Sequence, residues 1–255
     1  MIDGEDYTAI RWDMIKRFGP STYFKYSVVP DHLVLDVYAE HRADVEKTVR
    51  IVPFPLATTA PIEPRPKDID VSFLGGTSWF LDRKEGVVPS TGPAKPLLEA
   101  RLSREFSNFL GGYRPYDEYR EVLARSRVAV CPGGHGIGSI RTLETAAAPG
   151  TLLGQERVSH ITPWPFLDGA NCFLWSATGT DPFEELVGKI RHYLDHEEER
   201  ARIAAAGNAH VAQNDTPRSR ARQLLEEAMR VVPTPQAPAP PRLPHNPHPL
   251  LRGFW

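Results

Sequence analysis

The alternation of apolar and polar residues is most regular in the second part of the chain. In Asp68–Leu74 every second residue is apolar, and Gly75-Gly76 follows at once, which predicts a strand that runs into a tight loop. Three more apolar runs bounded by turn-forming residues predict short strands at Arg127–Cys131, Thr151–Leu153 and Cys172–Trp175. Apolar residues at helical spacing separate the strands and predict helices over 96–110, 117–125, 139–148, 183–194, 197–211 and 216–231.

Strands that alternate with helices indicate an α/β fold. The arrangement expected is a Rossmann-like parallel sheet with helices on both faces. Ligands of such sheets bind at the carboxyl ends of the strands. The loops after Leu74, Cys131 and Leu153 are therefore the first places to look for a site.

The chain before residue 67 and after residue 232 has a different character. Helical spacing over 7–18 and extended runs at 32–39 and 48–53 predict a small first region, 1–52, and Met1-Ile2 looks like the end of a strand. Five prolines between 53 and 66 predict a stiff linker, because each fixes φ and removes a donor. Eight of the 25 prolines lie between Pro233 and Pro249, so 233–255 is expected to be a disordered tail after a main domain at 67–232.

Charge and composition exclude several classes of protein. With 30 basic and 32 acidic residues the net charge is −2, so no overall field favours nucleic acid. No window approaches the ~18 consecutive apolar residues of a spanning helix, and the N-terminus lacks the features of a signal peptide. We expect a cytoplasmic protein without a membrane span. Cys131 and Cys172 lie among apolar neighbours and are predicted to be core residues.

The strongest chemical signal is the segment that follows Cys131. Four glycines allow close approach of the backbone to a ligand, and Ser139 is a suitable N-cap for a helix whose free amides favour an anion (Gly133, Gly134, Gly136, Gly138). Arg141 can add a charge-assisted bond to a phosphate, and Glu144, one turn later, can accept from ribose hydroxyls. The segment is typical of a nucleotide-diphosphate cradle. Glycine-rich turns also occur for packing alone, and neither the P-loop motif nor G-x-G-x-x-G is present.

Other residues have simpler alternatives. His135 in the glycine-rich loop is a candidate donor ligand, and His160 is expected to border the cleft. Trp164 and Phe166 are either a stacking wall for a nucleobase or packing residues. His192 and His196 have a zinc-compatible spacing, but no third ligand is near, so we expect a solvated face, as we do for the run Arg218, Arg220 and Arg222.

An ordered series of segments resembles the C-terminal, donor-binding half of GT-B glycosyltransferases of the CgeB-like or spore-maturation type. Asp68–Gly75 resembles the opening strand "DVSFVG", Ser139–Ala148 the helix "R-x-F-E-x-A-A", and Glu199–Gly207 the helix "ER-x-x-IA-x-x-G". Phe166–Gly169 and Glu184–Leu194 resemble the segment between these two helices, and Ile2–Asp6 and Tyr23–Lys25 resemble the end of the family's N-terminal half.

The resemblance implies that a nucleotide-sugar donor binds in this half, that the acceptor binds in the other, and that neither a cofactor nor a metal is needed. It implies that Glu144 contacts the ribose, that Arg141 and residues 133–138 lie at the diphosphate or sugar, and that Gly75-Gly76 faces the interdomain cleft. The expected activity is glycosyl transfer to an unknown acceptor. The resemblance identifies no catalytic residue.

Two departures from the family pattern and one expectation about length qualify this hypothesis. Gly136 stands where related retaining enzymes often carry a second glutamate, and Asp215-Thr216 replaces the usual His-Thr. Residues 1–52 are expected to be a remnant of the N-terminal domain, so that the chain is truncated or takes its other half from a second polypeptide. The alternatives are a non-catalytic nucleotide- or partner-binding module and a different phosphate-binding α/β enzyme.

Overall fold

The computed structural model describes residues 1–3, 12–25, 47–58, 61–75, 95–133, 139–157 and 162–230. A three-stranded parallel sheet comes first, in the order β1 (Ile2–Asp3), β2 (Thr22–Lys25) and β3 (Arg50–Pro53), with α1 (Trp12–Phe18) after β1. The strand end predicted at Met1-Ile2 and the extended run predicted at 48–53 are thus confirmed as β1 and β3. The strand predicted at 32–39 lies outside the described residues.

The second sheet has five parallel strands and begins after residue 68. In chain order they are β4 (Ile69–Leu74), β5 (Phe109–Gly112), β6 (Ser126–Cys131), β7 (Leu152–Glu156) and β8 (Phe173–Trp175), and their order in the sheet is β5-β4-β6-β7-β8. The helices of this part of the chain are α2 (Lys95–Glu105), α3 (Tyr116–Arg125), α4 (Ile140–Ala147), α5 (Glu184–Asp195), α6 (Glu197–Asn214) and α7 (Pro217–Arg230).

Apolar side chains cover both faces of this sheet. On one face Val71 and Phe73 of β4 pack with Leu98 of α2 and Ile190 of α5. On the other, residues of β4 and β6 pack against α3, and a further cluster joins β7 to α4 and α6. This arrangement confirms the predicted Rossmann-like fold, because strands buried on both faces are the mark of a parallel sheet between helices.

One predicted element is wrong. The apolar spacing suggests a single helix over 96–110, but α2 ends at Glu105 and Phe109–Gly112 forms the edge strand β5 beside β4. The chain turns at Ser107-Asn108, where the Asn108 side chain donates to the Asp68 carbonyl at 2.8 Å. Phe109 continues the helical spacing of Phe106, but the segment Phe109–Gly112 pairs in parallel with Val71–Leu74 of β4.

The proline-rich connector lies along the last two helices. Gln223 Nε2 donates to the Pro53 carbonyl at 2.8 Å, and Arg220 Nε donates to the Pro55 carbonyl at 2.7 Å. Arg220 also forms an ion pair with Asp215, and only 5% of Arg220 is exposed. The expectation of a solvated arginine run is therefore wrong for Arg220, because the connector and Asp215 cover it, whereas its neighbours Arg218 and Arg222 are exposed. The domain boundaries after 52, 66 and 232 stay predictions.

Cys131 and Cys172 are buried free thiols, as predicted. Over the described ranges, none of the helices combines the length and apolarity that a membrane crossing requires.

Candidate donor site at the carboxyl edge of the sheet

Three strands of the larger sheet end at the place where the sequence predicts a site. β4 leads into Gly75, β6 leads through Pro132 to Gly133, and β7 ends at Glu156. The register pairs Cys131 with Gln155, so the ends of β6 and β7 lie side by side. Because parallel strands share one carboxyl edge, these loops meet at the usual ligand-binding edge of such a sheet.

The helix that follows the glycine-rich loop begins as the sequence indicates. Ser139 is the N-cap of α4, with an extended backbone, and its hydroxyl accepts from the Arg141 amide at 3.2 Å. The Thr142 amide donates to the Ser139 carbonyl at 3.0 Å, and the positive end of the helix dipole favours an anion at this point. Of the predicted ligands before this helix, Gly133 is described and buried, whereas Gly134, His135, Gly136 and Gly138 lie outside the described residues.

Arg141 and Gly75 are in direct contact, although they lie 66 positions apart in the chain. A methyl group added to the Gly75 Cα would lie 2.8 Å from Arg141 Cζ, so the guanidinium group rests on the bare backbone of the glycine. The φ of Gly75 is +151°, which other residues rarely adopt. The structure thus brings together two of the predicted site residues, while Gly76 lies outside the described part of the chain.

Glu144 lies one helical turn beyond Arg141 and faces α3. It is 9% exposed, and its Oε1 accepts from the Tyr116 hydroxyl at 3.1 Å. Tyr119 stacks beside Tyr116, with ring centroids 6.2 Å apart. The pKa of the Tyr119 hydroxyl is raised, mainly by burial and then by the nearby Cys131 and Glu144. A carboxylate held in this way keeps one oxygen oriented by protein and retains further lone pairs for hydroxyl groups of a ligand.

Sequence reasoning missed two charged residues of this site. Lys95, the first residue of α2, is 3% exposed, and its pKa is lowered to about 8, first by burial and then by the charge of Arg141. The carboxylate of Glu156, 6% exposed, accepts from the Gly133 amide at 2.6 Å and raises the pKa of Lys95. A sequence signal exists for each of them. Lys95 begins a helix after the β4 loop, and Glu156 follows a predicted strand at the carboxyl edge.

A small cavity of about 40 Å³ lies beside α4, and the N-cap residue Ser139 is part of its lining. Thr142 and Leu143 line it together with Gln155, Trp164 and Phe166. The Arg220 guanidinium lies 4.7 Å from the centroid of the Trp164 ring, and Phe166 lies 4.9 Å from the His210 ring. These contacts favour the packing interpretation of the two aromatic residues, and they lie away from Glu144, which faces α3.

The two histidines at zinc-compatible spacing form a surface pair. His192 and His196 are exposed, their ring centroids are 4.2 Å apart, and His192 Nε2 lies 2.8 Å from a carboxylate oxygen of Glu199. Among the residues that the structure describes, no group of three or more His, Cys, Asp or Glu side chains is placed to hold a metal ion. His160 lies outside the described ranges.

Comparison with known proteins adds evidence of a different kind. A family model described as glycosyl transferase-like matches residues 83–226, which is more than half of the chain. No curated protein sequence matches the chain.

Several solved structures share the fold. Sucrose-phosphate synthase from Thermosynechococcus elongatus is 14% identical with a TM-score of 0.54, and the match covers 82% of this chain and 58% of the synthase. For HepE from Anabaena, in complex with UDP and glucose, the identity is 13%, the TM-score 0.53 and the coverage 85% and 65%. For the pneumococcal O-GlcNAc transferase GtfA, in complex with UDP and GlcNAc, the values are 12%, 0.52, 86% and 47%. The chain thus spans less than two thirds of the length of each of these three proteins.

Proposed function

Because this chain belongs to the glycosyl transferase-like family and has the α/β fold of GT-B glycosyltransferases, we propose that it binds a nucleoside-diphosphate sugar and transfers the sugar to an acceptor. The observation that carries the proposal is the arrangement along α4. One helix presents a capped N-terminus, an arginine resting on Gly75 and a buried carboxylate one turn later. An anion subsite and a diol subsite on one helix suit the two ends of a nucleoside diphosphate.

The diphosphate would occupy the N-terminal end of α4. The positive end of the α4 dipole and the guanidinium of Arg141 suit its oxygens, and Lys95 adds a second cation at the same edge. We assign the loop residues Gly133, Gly134, His135, Gly136 and Gly138 and the turn Gly75-Gly76 to the donor as well. In the transition state the same donors would stabilise the charge that develops on the leaving diphosphate. These groups supply positive charge from the protein itself, so the proposal includes no resident metal.

The nucleoside would lie between α4 and α3. Glu144 would accept from the ribose hydroxyls while Tyr116 holds its carboxylate in place. Rings exposed at the start of α3 are available to stack on a base, since Tyr116 is 54% exposed and Tyr113 75%. UDP is the first nucleotide to test, because HepE and GtfA were both determined in complex with UDP.

Transfer requires an acceptor site as well as a donor site. The chain spans 58% of the synthase and 65% of HepE, so we propose that part of the acceptor site is contributed by a further polypeptide segment. This proposal includes the CgeB-like assignment, which the motif series 68–75, 139–148 and 199–207 supports. It also includes a cytoplasmic location.

Titration calorimetry with UDP, GDP, ADP and their sugar derivatives tests the donor site. We expect at least one nucleotide to bind, and Glu144→Ala to weaken it by about 10-fold to 100-fold, the usual loss for a hydrogen bond to a charged group. Glu198→Ala, an exposed carboxylate of α6, is the matched control and should leave the affinity unchanged. Absence of binding at millimolar ligand would refute the proposal.

The non-catalytic alternative differs in a second measurement. A binding module would bind the nucleotide-sugar but leave it intact, whereas a transferase releases nucleoside diphosphate from it when an acceptor is supplied. Release of UDP from UDP-glucose over a panel of acceptors, measured with the polypeptide that completes the acceptor site present, therefore separates the two functions.

A further inference from the structure

Glu156 is a buried carboxylate at the donor site to which the proposed function gives no ligand. It ends β7, next to the point where β6 leads into the glycine-rich loop. Its Oε2 accepts from the main-chain amide of Gly133 at 2.6 Å, and only 6% of the residue is exposed. The side chain therefore fixes the first glycine of the loop to the neighbouring strand.

The negative charge of Glu156 also acts on Lys95. Lys95 is 3% exposed, and the carboxylate of Glu156 favours its protonated form, whereas burial and Arg141 oppose it. Two cations that share a largely buried site are costly unless a negative charge compensates them. The charged or titratable groups that act on Lys95 are Arg141 from α4, Glu156 from β7 and Cys131 from β6, and Arg141 is the like charge among them.

We propose that Glu156 is a positioning residue of the donor site: it fixes the Gly133 amide and supplies the counter-charge that keeps Lys95 protonated while the site is empty. The role in donor binding rests on the proposed function of the same site. When the diphosphate arrives, its oxygens take over the neutralisation of Lys95 and Arg141. Glu156 itself touches neither the donor nor the reacting atoms.

The proposal has a consequence for nucleotide affinity as a function of pH. Because the pKa of Lys95 is about 8, the free protein loses this cation as the pH rises through 8, and affinity for UDP should fall there. Without the negative charge of Glu156 the same loss should begin at lower pH. A purely structural role of Glu156 would lower affinity or stability equally at every pH.

The charge role is tested in the nucleotide-free protein, by NMR titration of ¹³C-labelled lysine side chains. In Glu156→Gln we expect the Lys95 midpoint to fall by roughly one pH unit, as for removal of a nearby opposite charge. Lys67 is the internal control, because its pKa is also lowered to about 8 but its partners are Ala124 and Thr151. An unchanged Lys95 midpoint would overturn the charge role.

UDP affinity between pH 6.5 and 9.5 tests the link to the donor. We expect the fall in affinity to begin at lower pH in Glu156→Gln, and Lys95→Arg, whose charge does not titrate in this range, to abolish the fall in both backgrounds. If Glu156→Gln still shifts the profile in the Lys95→Arg background, Lys95 is not the group through which Glu156 acts, and the proposal is wrong.

Glu156→Asp separates the hydrogen bond from the charge. The shorter side chain keeps the charge but withdraws from Gly133, so we expect the Lys95 midpoint to stay near 8 while UDP binds at least about 5-fold more weakly, the effect of one lost hydrogen bond. Undiminished binding would refute the positioning of Gly133. If no nucleotide binds the wild type but the Lys95 midpoint still moves in Glu156→Gln, the proposed function fails and the counter-charge role stands.

Discussion

Substitution of Gly75 by alanine is a sharp perturbation of the site, because it acts on Arg141 without removing any polar group. The new methyl group would lie 2.8 Å from Arg141 Cζ and from one terminal nitrogen, too close for a carbon contact. Arg141 is a flexible side chain, so its guanidinium group, rather than the backbone of β4, should give way. Donor affinity is then expected to fall even though Gly75 itself gains nothing but a methyl group.

Two separate magnitudes follow from the structure. The backbone of Gly75 has a φ of +151°, and holding a residue with a Cβ there costs about 1–3 kcal/mol of folding free energy. In a chain of this size each kcal/mol corresponds to roughly 2–4 °C in Tm. Loss of the Arg141 contact to a diphosphate removes about 1.5–3 kcal/mol of binding free energy, which is about 10-fold to 100-fold in Kd.

Thermal melts and UDP titrations of Gly75→Ala measure both quantities. Gly150→Ala is the matched control, because Gly150 also has a positive φ, +72°, but its added methyl group would approach Lys67 and not the site. It should lower Tm and leave the UDP affinity unchanged. In an Arg141→Ala background, Gly75→Ala should cause no further loss of affinity. If Gly75→Ala lowers Tm but binds UDP as tightly as the wild type, the contact between the two residues has no part in donor binding.

Three more predictions concern other contacts. Tyr116→Phe removes the hydroxyl that orients Glu144, and calorimetry should show UDP affinity about 5-fold weaker, on the order of 1 kcal/mol; unchanged affinity would contradict the assignment. The pKa of Lys67 is about 8 in the folded protein and 10.5 ordinarily, so the folded protein loses this proton at lower pH than the unfolded chain. The contribution of Lys67 to the free energy of unfolding therefore rises between pH 8 and 10. Denaturant melts of wild type and Lys67→Met should diverge over that window and nowhere below it. Arg220→Met removes the arginine partner of the buried Asp215 carboxylate and should cost about 3–5 kcal/mol in chemical denaturation. Arg218→Met, at an exposed position, should cost almost nothing, and equal effects would refute the structural role of Arg220.

The local signals of the sequence predict much of the site scaffold correctly. The strand that ends at Leu74, the strand that ends at Cys131 and the helix capped by Ser139 all depend on short-range patterns, namely alternation, a glycine-rich turn and a capping residue. The contact of Arg141 with Gly75 is a consequence of these elements meeting at one edge. The assignment of Gly75 and Arg141 as donor ligands stays a prediction until a nucleotide complex is measured.

The residues that sequence reasoning missed depend on contacts between distant parts of the chain. Lys95 begins a helix immediately before Pro96, a position normally exposed, yet in the fold it is 3% exposed and under the charges of Arg141 and Glu156. The predicted strand at Thr151–Leu153 ends before Glu156, whereas β7 continues to this residue, which pairs with Trp175 of β8. In the same way, Tyr116 looks like an ordinary helix start until the fold places it against Glu144.

The most direct test of the account is a crystal structure of the chain with UDP. We expect the diphosphate at the N-terminal end of α4, within hydrogen-bond distance of the Arg141 side chain, and the ribose hydroxyls on the Glu144 carboxylate. UDP bound in the cavity beside Trp164, or anywhere else that leaves Arg141 and Glu144 without a contact, would contradict it.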